Sequence, residues 1–321
     1  MACVDTLTPV SMAQCYLMRY RGARRLLHIS ALVLLPVLSA CGEAASLGAP
    51  SPLVRETGAS GCTTLNGPKG STYNEFLGIN NRLEIVGYAG VVGSYEFHPG
   101  KQFEIERYPG SVATELTSLN NEDVVAGWYE ESNGKIYGLT EWEGIWTSYS
   151  GPHAGDRATR ILGINDSNEV VGYYESRQGI DHAFASHADR KFRTIFRSST
   201  NFVATAINDR GQIVGWETVA SGATEGWLLE GKRFTNLVYP GAVVTQPSGI
   251  NESDEIVGSY EDTSGNTHGF ILTKPLIAPH WQEFDEPHAS GETILAGING
   301  RDDLVGYYQN GAGRIVAFFC R

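Results

Sequence analysis

Residues 163–172 read Gly163-Ile164-Asn165-Asp166-Ser167-Asn168-Glu169-Val170-Val171-Gly172, and this phrase decides the fold. Its pattern is a small residue, an aliphatic residue, Asn, four variable residues, an aliphatic residue, Val or Ala, and Gly. The pattern occurs six times, with Asn at positions 80, 120, 165, 208, 251 and 299, and Gly follows Asn by seven residues each time. Spacings of 40, 45, 43, 43 and 48 residues are typical of solenoids, propellers and other repeat arrays.

Each period predicts four short strands, and the third period is the clearest case. Residues 160–165 and 170–174 form two strands around a polar turn, and the second of them is rich in β-branched and aromatic residues. Residues 182–185 and 192–195 follow as two further strands. The chain has 38 Gly, 10% aromatic and 19% charged residues, and no window has a convincing apolar period of 3.6 residues. We therefore predict an all-β fold: a six-bladed β-propeller of four-stranded antiparallel blades.

The last repeat runs through residues 315–320 without a fourth strand of its own. In most other repeats the fourth strand carries an aromatic residue six positions before a Pro, and Cys62 stands six positions before Pro68. We expect residues 62–66 to complete the sixth blade, so that the N-terminal strand closes the propeller. This register places Cys62 opposite Cys320 and predicts a disulfide between them; two unpaired thiols are the alternative.

The repeated phrase and His182-Ala183-Phe184 resemble the extracellular HAF repeat of bacterial exported proteins. The resemblance covers about residues 62–321, although His-Ala-Phe is intact only once. It implies an exported repeat protein and carries no activity.

Two positions of the phrase have a physical interpretation. We expect the small residue two places before each Asn to be required because the first strands of the blades crowd around the axis. The Asn itself suits a turn, since Asn tolerates the left-handed conformation and bonds to its own backbone. A calcium loop is the alternative, because residues 165–169 and 251–255 carry oxygen ligands at alternate positions.

The first forty residues predict an export signal. Four Arg residues between Arg19 and Arg25 precede the apolar run 29–38, which is shorter than the roughly 20 residues that span a bilayer. Residues 1–17 are polar, so we expect translation to start at Met18.

Leu38-Ser39-Ala40-Cys41 resembles the lipobox of bacterial lipoproteins. The resemblance implies cleavage before Cys41 and lipidation of that residue; an ordinary signal with an incidental Cys is the alternative. The predicted organisation is a signal peptide at 1–40, a lipid-anchored flexible tether at 41–61 and a propeller at 62–321. Gly42 and Glu43 follow Cys41, so no Asp stands directly after it. By resemblance to enterobacterial lipoprotein sorting, this favours the outer membrane or cell surface over the inner membrane.

Charge excludes one class of partner. The whole chain has 24 basic and 36 acidic residues; without residues 1–40, which hold four Arg and one Asp, 20 basic and 35 acidic residues leave a net charge of −15. Nucleic-acid binding needs a basic face. The expected partners are the membrane through the lipid anchor and a glycan or envelope protein, with the chain a monomer.

The candidate ligand residues lie beside the motif Gly. Each candidate Glu stands three residues after that Gly, with a Tyr before it, in three different repeats. Two His residues follow Pro in loops that precede a first strand, and on one face they could meet near the axis. The candidates are Tyr129, Glu130, Tyr174, Glu175, Tyr260, Glu261, His153 and His288. The plainer interpretation is a solvated edge of second strands with two surface imidazoles.

Chemistry has no specific signature in the sequence. No His pair or Cys pair has zinc spacing, and no nucleophile motif occurs. We therefore expect no metal and no cofactor. The leading function is a binding or scaffold module at the cell envelope, more in keeping with a non-enzyme. The alternative is a polysaccharide hydrolase or lyase that uses carboxylates on the axial face, and a purely structural envelope protein is a third reading.

Overall fold

A computed structural model describes residues 61–153, 155–187, 191–196 and 201–321. The predicted signal peptide, the lipidation site Cys41, the start at Met18 and nearly all of the tether lie outside the described residues. The described part contains strands, turns and loops and no helix that could cross a membrane.

Twenty-four strands are assigned in the described residues. The N-terminal strand is β1 (Cys62–Leu65), and repeat 1 follows as β2 (Glu75–Ile79), β3 (Ile85–Ala89), β4 (Gly93–Phe97) and β5 (Glu104–Ile105). Repeat 2 comprises β6 (Ala113–Leu119), β7 (Val125–Glu130), β8 (Ile136–Trp142) and β9 (Ile145–Tyr149). Repeat 3 comprises β10 (Ala158–Ile164), β11 (Val170–Glu175), β12 (Asp181–Ser186) and β13 (Phe192–Thr194).

The later repeats follow the same plan. Repeat 4 comprises β14 (Asn201–Ile207), β15 (Ile213–Thr218), β16 (Thr224–Glu230) and β17 (Arg233–Leu237). Repeat 5 comprises β18 (Val244–Ile250), β19 (Ile256–Glu261), β20 (Thr267–Thr273) and β21 (His280–Phe284). Repeat 6 comprises β22 (Ala289–Ile298), β23 (Leu304–Asn310) and β24 (Ile315–Cys320). The four strands predicted for the third period are thus confirmed.

Consecutive strands of a repeat pair antiparallel. In repeat 3, β10 pairs with β11, β11 with β12 and β12 with β13. Single parallel pairs join the third strand of one repeat to the first strand of the next, as between Ile136 and Ala158. These bridges merge the repeats into sheets of 12, 8 and 4 strands.

The N-terminal strand pairs with the C-terminal strand. β1 lies antiparallel to β24, with Cys62 opposite Cys320. Their Cα atoms are 4.0 Å apart and the two sulfurs form a disulfide across a sequence separation of 258 residues. Both Cys residues are buried. The predicted strand pairing and the predicted disulfide are confirmed.

The core consists of apolar clusters between neighbouring repeats. One cluster packs Val171 of repeat 3 against Phe202 and Trp227 of repeat 4. Another packs Phe76 of repeat 1 against Val305 of repeat 6. A four-stranded unit cannot bury both of its faces by itself, so each repeat depends on its neighbours for burial.

Each motif Gly faces a β-bulge in the first strand of its repeat. In repeat 3 the pairing between β10 and β11 shifts between Ile161 and Gly163. The bulge brings the carbonyl oxygen of Arg160 so close to Gly172 that a Cβ atom there would lie 2.0 Å from it. In the other five repeats an added Cβ atom would likewise lie 2.0–2.4 Å from a backbone carbonyl oxygen of the first strand. The Gly residues concerned are Gly87, Gly127, Gly215, Gly258 and Gly306. Only Gly fits opposite the bulge.

The small residues before each Asn are crowded, as expected. A Cβ atom at Gly163 would lie 2.8 Å from the Cα of Ala206 in the next repeat. At Gly297, in repeat 6, the added atom would be in ordinary van der Waals contact with the Cα of Gly78, in repeat 1, at 3.5 Å. The first strands therefore approach each other at this level of the fold.

Replacement of Gly172 by Ala should destabilise the protein by about 3 kcal/mol, because the methyl group would have to displace backbone rather than a flexible side chain. The matched control is Gly311→Ala, where an added Cβ meets no atom within 4 Å; it should change stability by less than about 0.5 kcal/mol. Urea denaturation of the two variants measures both values. Equal stabilities would contradict the steric role of the motif Gly.

Candidate functional site

A cavity of about 120 Å³ lies between the first strands of the six repeats. Each repeat contributes its Asn, the three residues before the Asn and the residue after it. Typical ligand pockets measure roughly 300–1,000 Å³. The cavity is therefore smaller than a typical ligand pocket.

The Asn of each repeat holds its own turn. In repeat 3, Oδ1 of Asn165 accepts the N–H groups of Ser167 at 3.1 Å and Glu169 at 2.9 Å. The equivalent pair of bonds forms in each of the other five repeats. Because both acceptor sites of the amide oxygen are used, these bonds support the turn over the calcium loop.

The left-handed residue of the turn is not the Asn. The positive φ lies three residues later, at Asn168 with φ 59° and at Leu83 with φ 65° in repeat 1. The expectation that the Asn is chosen for its tolerance of this conformation was therefore wrong at that position. What the turn needs from the Asn is its amide oxygen.

The amide nitrogen of the same Asn reaches the next repeat. Nδ2 of Asn165 donates to the backbone carbonyl of Asn208 at 3.2 Å. The same donation runs from Asn80 to Asn120, from Asn120 to Asn165, from Asn208 to Asn251 and from Asn299 to Asn80. The last of these joins residues 219 apart in sequence. Between repeats 5 and 6, Asn251 donates to Oδ1 of Asp302 at 2.9 Å.

A second series of bonds uses the residue that follows each Asn. The N–H of Asn121 donates to Oδ1 of Asp166 at 2.8 Å, and the N–H of Asp166 donates to Oδ1 of Asp209 at 2.7 Å. Gly300 holds this position in repeat 6 and has no side chain, so it cannot accept a bond from Glu252 of repeat 5. The mouth of the cavity is thus occupied by groups that bond to one another.

The side chains of the three candidate tyrosines are buried. Tyr129, Tyr174 and Tyr260 are 4%, 4% and 6% exposed. Tyr129 stacks on Tyr108 and Tyr260 stacks on Tyr239, each with ring centroids 3.7 Å apart. Such rings hold neighbouring strands and loops together and present little face to a ligand.

The three candidate carboxylates lie at the ends of second strands, on the side of the fold opposite the asparagine turns. Glu130, Glu175 and Glu261 end β7, β11 and β19, and all three are half-buried. The carbonyl of Glu175 accepts the N–H of Arg157, and its carboxylate lies 3.5 Å from the guanidinium of that residue. The structure gives these residues contacts with the loops beside them rather than with one another.

The two predicted His residues lie at the same edge with different partners. The His153 ring lies 6.1 Å from the Tyr174 ring, and the backbone N–H of His153 donates to Asp156 at 3.0 Å. The N–H of His288 donates to Glu286 at 2.6 Å, and its Nδ1 lies 3.0 Å from the other oxygen of that carboxylate. These contacts fix the loops before β10 and β22.

Sequence reasoning missed a charged group five residues before the Asn. Glu75, Glu115 and Arg160 hold this position in repeats 1, 2 and 3, and Val203, Gln246 and Ile294 hold it in the others. The register pairs Glu115 with Trp128 and Arg160 with Tyr173 on the same sheet face. A comparison of the repeats position by position could have found them, because this position breaks the repeat.

Arg160 is the cation of this group. Its guanidinium lies 5.0 Å from the ring centroid of Trp128, in the preceding repeat, and donates to the hydroxyl of Tyr173 at 3.0 Å. Glu75 is fully buried and Glu115 is 5% exposed. Burial raises the pKa of Tyr307 in repeat 6, and the charges of Glu75, Glu292 and Glu115 raise it further. Side chains of repeats 1, 2, 3 and 6 therefore share one electrostatic environment.

Burial hinders the ionisation of Glu115 in this group. Its Oε2 is buried and has no hydrogen-bond partner among the described residues. Burial raises the pKa of Glu115 to about 7, against the opposing charge of Arg160. A carboxyl with such a pKa changes its charge near neutral pH.

One group of side chains in the described residues has the composition of a metal site. His268, Glu283 and Asp285 place ligand atoms within 4.8 Å of one another. The expectation of no metal rested on the spacing of residues along the chain. Spacing could not reveal this group, because His268 lies on β20, Glu283 on β21 and Asp285 directly after β21.

No family model and no curated protein matches the sequence. Solved structures are similar in fold. A protein of Agrobacterium tumefaciens assigned as TolB is 11% identical, covering 77% of this chain and 89% of its own, with a TM-score of 0.56. The Aleuria aurantia lectin with α-methyl-L-fucoside is 8% identical over 78% of this chain and 91% of its own, with a TM-score of 0.48.

A catalytically inactive virginiamycin B lyase of Staphylococcus aureus with quinupristin is also similar. It is 10% identical over 80% of this chain and 98% of its own, with a TM-score of 0.45. These neighbours are β-propeller proteins. The likeness to the TolB structure shows that this chain has a β-propeller-like all-β fold, and at this identity it shows the fold alone.

Replacement of Asn165 by Ala should lower the free energy of unfolding by about 3 kcal/mol, because two turn N–H groups and the Asn208 carbonyl lose their partner in a buried place. The matched control is Asn310→Ala. Asn310 makes the same turn bonds, to Ala312 and Arg314, at an exposed end of β23. The control should lose about 1 kcal/mol. Equal losses in urea denaturation would contradict a stabilising bond between repeats.

Replacement of Glu115 by Gln should stabilise the protein at pH 8 more than at pH 5. The raised pKa means that the folded state holds the proton more tightly, so wild-type stability falls as pH rises from about 4.5 to 7. The variant lacks this loss, and the difference should grow by roughly 3 kcal/mol across the window. Glu122→Gln, at an exposed site, is the control. A difference that does not change with pH would contradict the raised pKa.

Proposed function

We propose that this chain is an exported, lipid-anchored, six-bladed β-propeller that serves as a binding scaffold at the cell envelope. The fold argues for a rigid platform. Each repeat is held to its neighbours by strand pairing, by apolar clusters and by the asparagine bonds. The two ends of the strands, with their turns and loops, remain available for contacts.

Three contacts support six blades closed by the N-terminal strand. Asn299 bonds to the carbonyl of Asn80, and the core cluster of Phe76 includes Val305. The β1 strand supplies the fourth strand of the group that contains β22, β23 and β24. A disulfide then locks that pair.

The disulfide also supports export, because such bonds persist in oxidising compartments. The basic and apolar segments before residue 40 and the lipobox-like Cys41 support a lipid anchor at the outer membrane or cell surface. Replacement of Cys41 by Ser should abolish incorporation of a labelled fatty acid into the protein. Continued incorporation would overturn the anchor at this residue.

The observation that carries the binding proposal is that a half-buried Glu stands beside an exposed Val in repeats 2 and 5, at the strand ends opposite the asparagine turns. Val112 and Val243 are 57% and 44% exposed there. Their N–H groups donate to the carbonyls of Glu130 and Glu261. We call the surface formed by these Val and Glu residues, at the strand ends opposite the asparagine turns, the loop edge. Its combination of carboxylates and exposed valines fits a protein partner with basic and apolar side chains.

A protein partner is favoured over a glycan. Sugar recognition commonly uses the exposed faces of aromatic rings, and the tyrosines beside these carboxylates are buried against their neighbours. The net charge of −15 without residues 1–40 also favours a cationic partner and disfavours nucleic acid.

Polysaccharide hydrolysis or lyase chemistry is the second candidate. The observation in its favour is the carboxyl of Glu115, whose pKa burial raises to about 7 against the charge of Arg160. A general acid near neutral pH needs such a pKa. The burial of Glu115 restricts access of a polymer to it, so binding remains the proposal.

A photo-crosslinking amino acid placed at Val112 or Val243 in the producing cells tests the loop edge. We expect one discrete protein adduct from each site, lost when Glu130 and Glu261 are both changed to Lys. The control site is Ile277, which is 89% exposed at the asparagine edge. Equal adducts from Ile277, or none from the loop edge, would contradict the proposal, and product release from a polysaccharide panel would favour the enzyme.

A further inference from the structure

Repeats 3 and 5 carry the same pair of stacked rings. His182 on β12 stacks on Tyr174 with centroids 5.1 Å apart and an angle of 25°. His268 on β20 stacks on Tyr260 with centroids 5.1 Å apart and an angle of 24°. In both repeats the His is paired in register with the Tyr of the second strand. The two imidazoles therefore have the same framework.

The outer strand beside the two His residues differs. In repeat 5, Leu272 pairs with Trp281, and Glu283 and Asp285 follow two and four residues later. In repeat 3 the equivalent pair is Ser186 and Phe192, and Thr194 and Phe196 take the places of the two acids. Repeat 5 thus has two carboxylates on its outer strand that repeat 3 lacks.

The carboxylates in repeat 5 surround the imidazole on several sides. Nδ1 of His268 lies 2.9 Å from Oδ2 of Asp285, and Nε2 lies 3.7 Å from Oδ2 of Asp262. The hydroxyl of Tyr260 donates to Glu283. Three carboxylates surround one imidazole, so the group keeps an excess of negative charge even when the His is protonated.

We propose that His268, Glu283 and Asp285 form a binding site for a divalent transition-metal ion of the Zn²⁺ class. The imidazole supplies one nitrogen and the two acids supply one oxygen each, and their ligand atoms are within 4.8 Å of one another. Three protein ligands and a solvent position make a common four-coordinate zinc arrangement. This site lies beside Glu261 of the loop edge, because His268 pairs with Tyr260, but the proposal does not depend on a protein partner there.

Neighbouring groups have the arrangement that supports such a site. A metal-bound His commonly donates its other ring N–H to a carboxylate, and Oδ2 of Asp262 lies 3.7 Å from Nε2 on that side of the ring. The bond from Tyr260 orients Glu283 in the same way. The nitrogen ligand favours Zn²⁺ and related ions over Ca²⁺ and Mg²⁺, which prefer oxygen ligands alone.

The carboxylates around His268 and the burial of its ring act on its pKa in opposite directions. Burial lowers the pKa of His268, but the hydrogen bond and charge of Asp285 and the charges of Glu283 and Asp262 raise it above its usual value overall. The matching His182 has a lowered pKa, mainly through burial.

Isothermal titration of untagged, chelator-treated full-length protein with ZnCl₂ tests the site. The same titration is made on His268→Ala, Glu283→Gln and the matched control His182→Ala, each checked for an intact thermal transition. We expect one zinc ion, lost in His268→Ala, weakened at least tenfold in Glu283→Gln and unchanged in His182→Ala.

Co²⁺ provides a second measurement. A visible absorption band from the wild-type protein and His182→Ala that is absent in His268→Ala would support the proposed ligands. The proposal is overturned if the wild-type protein binds no zinc at 1 mM, or if His268→Ala binds it as the wild type does. Failure here would leave the crosslinking result unaffected, so the two proposals are tested separately.

Discussion

The buried amide of the repeated Asn is the interaction on which the structure depends. One end of the amide accepts two N–H groups of its own turn, and the other donates to the backbone of the next repeat. A net contribution of about 1 kcal/mol per bond is ordinary. These bonds matter because of where they are made. The buried amide is satisfied at both ends, so it joins the turn of one repeat to the next repeat.

The β-bulge is the second constraint, and it explains the Gly seven residues later. The bulge turns the first strand so that its carbonyl oxygen points at the second strand, as Arg160 does at Gly172. A side chain cannot occupy that space. The Asn and the Gly therefore serve one local geometry, and their constant separation reflects the length of the turn and the start of the second strand.

Departures from the repeat mark the places where specific chemistry has been added. In the first strands, Glu75, Glu115 and Arg160 replace the uncharged residues of other repeats; the two acids are buried and Arg160 is half-buried. On the outside, Glu283 and Asp285 replace the Thr194 and Phe196 of repeat 3. The common framework positions these groups, while each repeat supplies its own side chains.

The sequence by itself determined the strand plan, the six periods, the small residues and the Cys62–Cys320 pair, because these depend on local spacing and on register between adjacent strands. It placed Glu130 and Glu175 at the correct strand ends but could not show that Tyr129 and Tyr174 are buried. Only the tertiary structure decided which distant residues meet: Arg160 on Trp128, and His268 beside Asp285. Burial and charge proximity depend on packing between strands and between repeats, which no spacing within one repeat records.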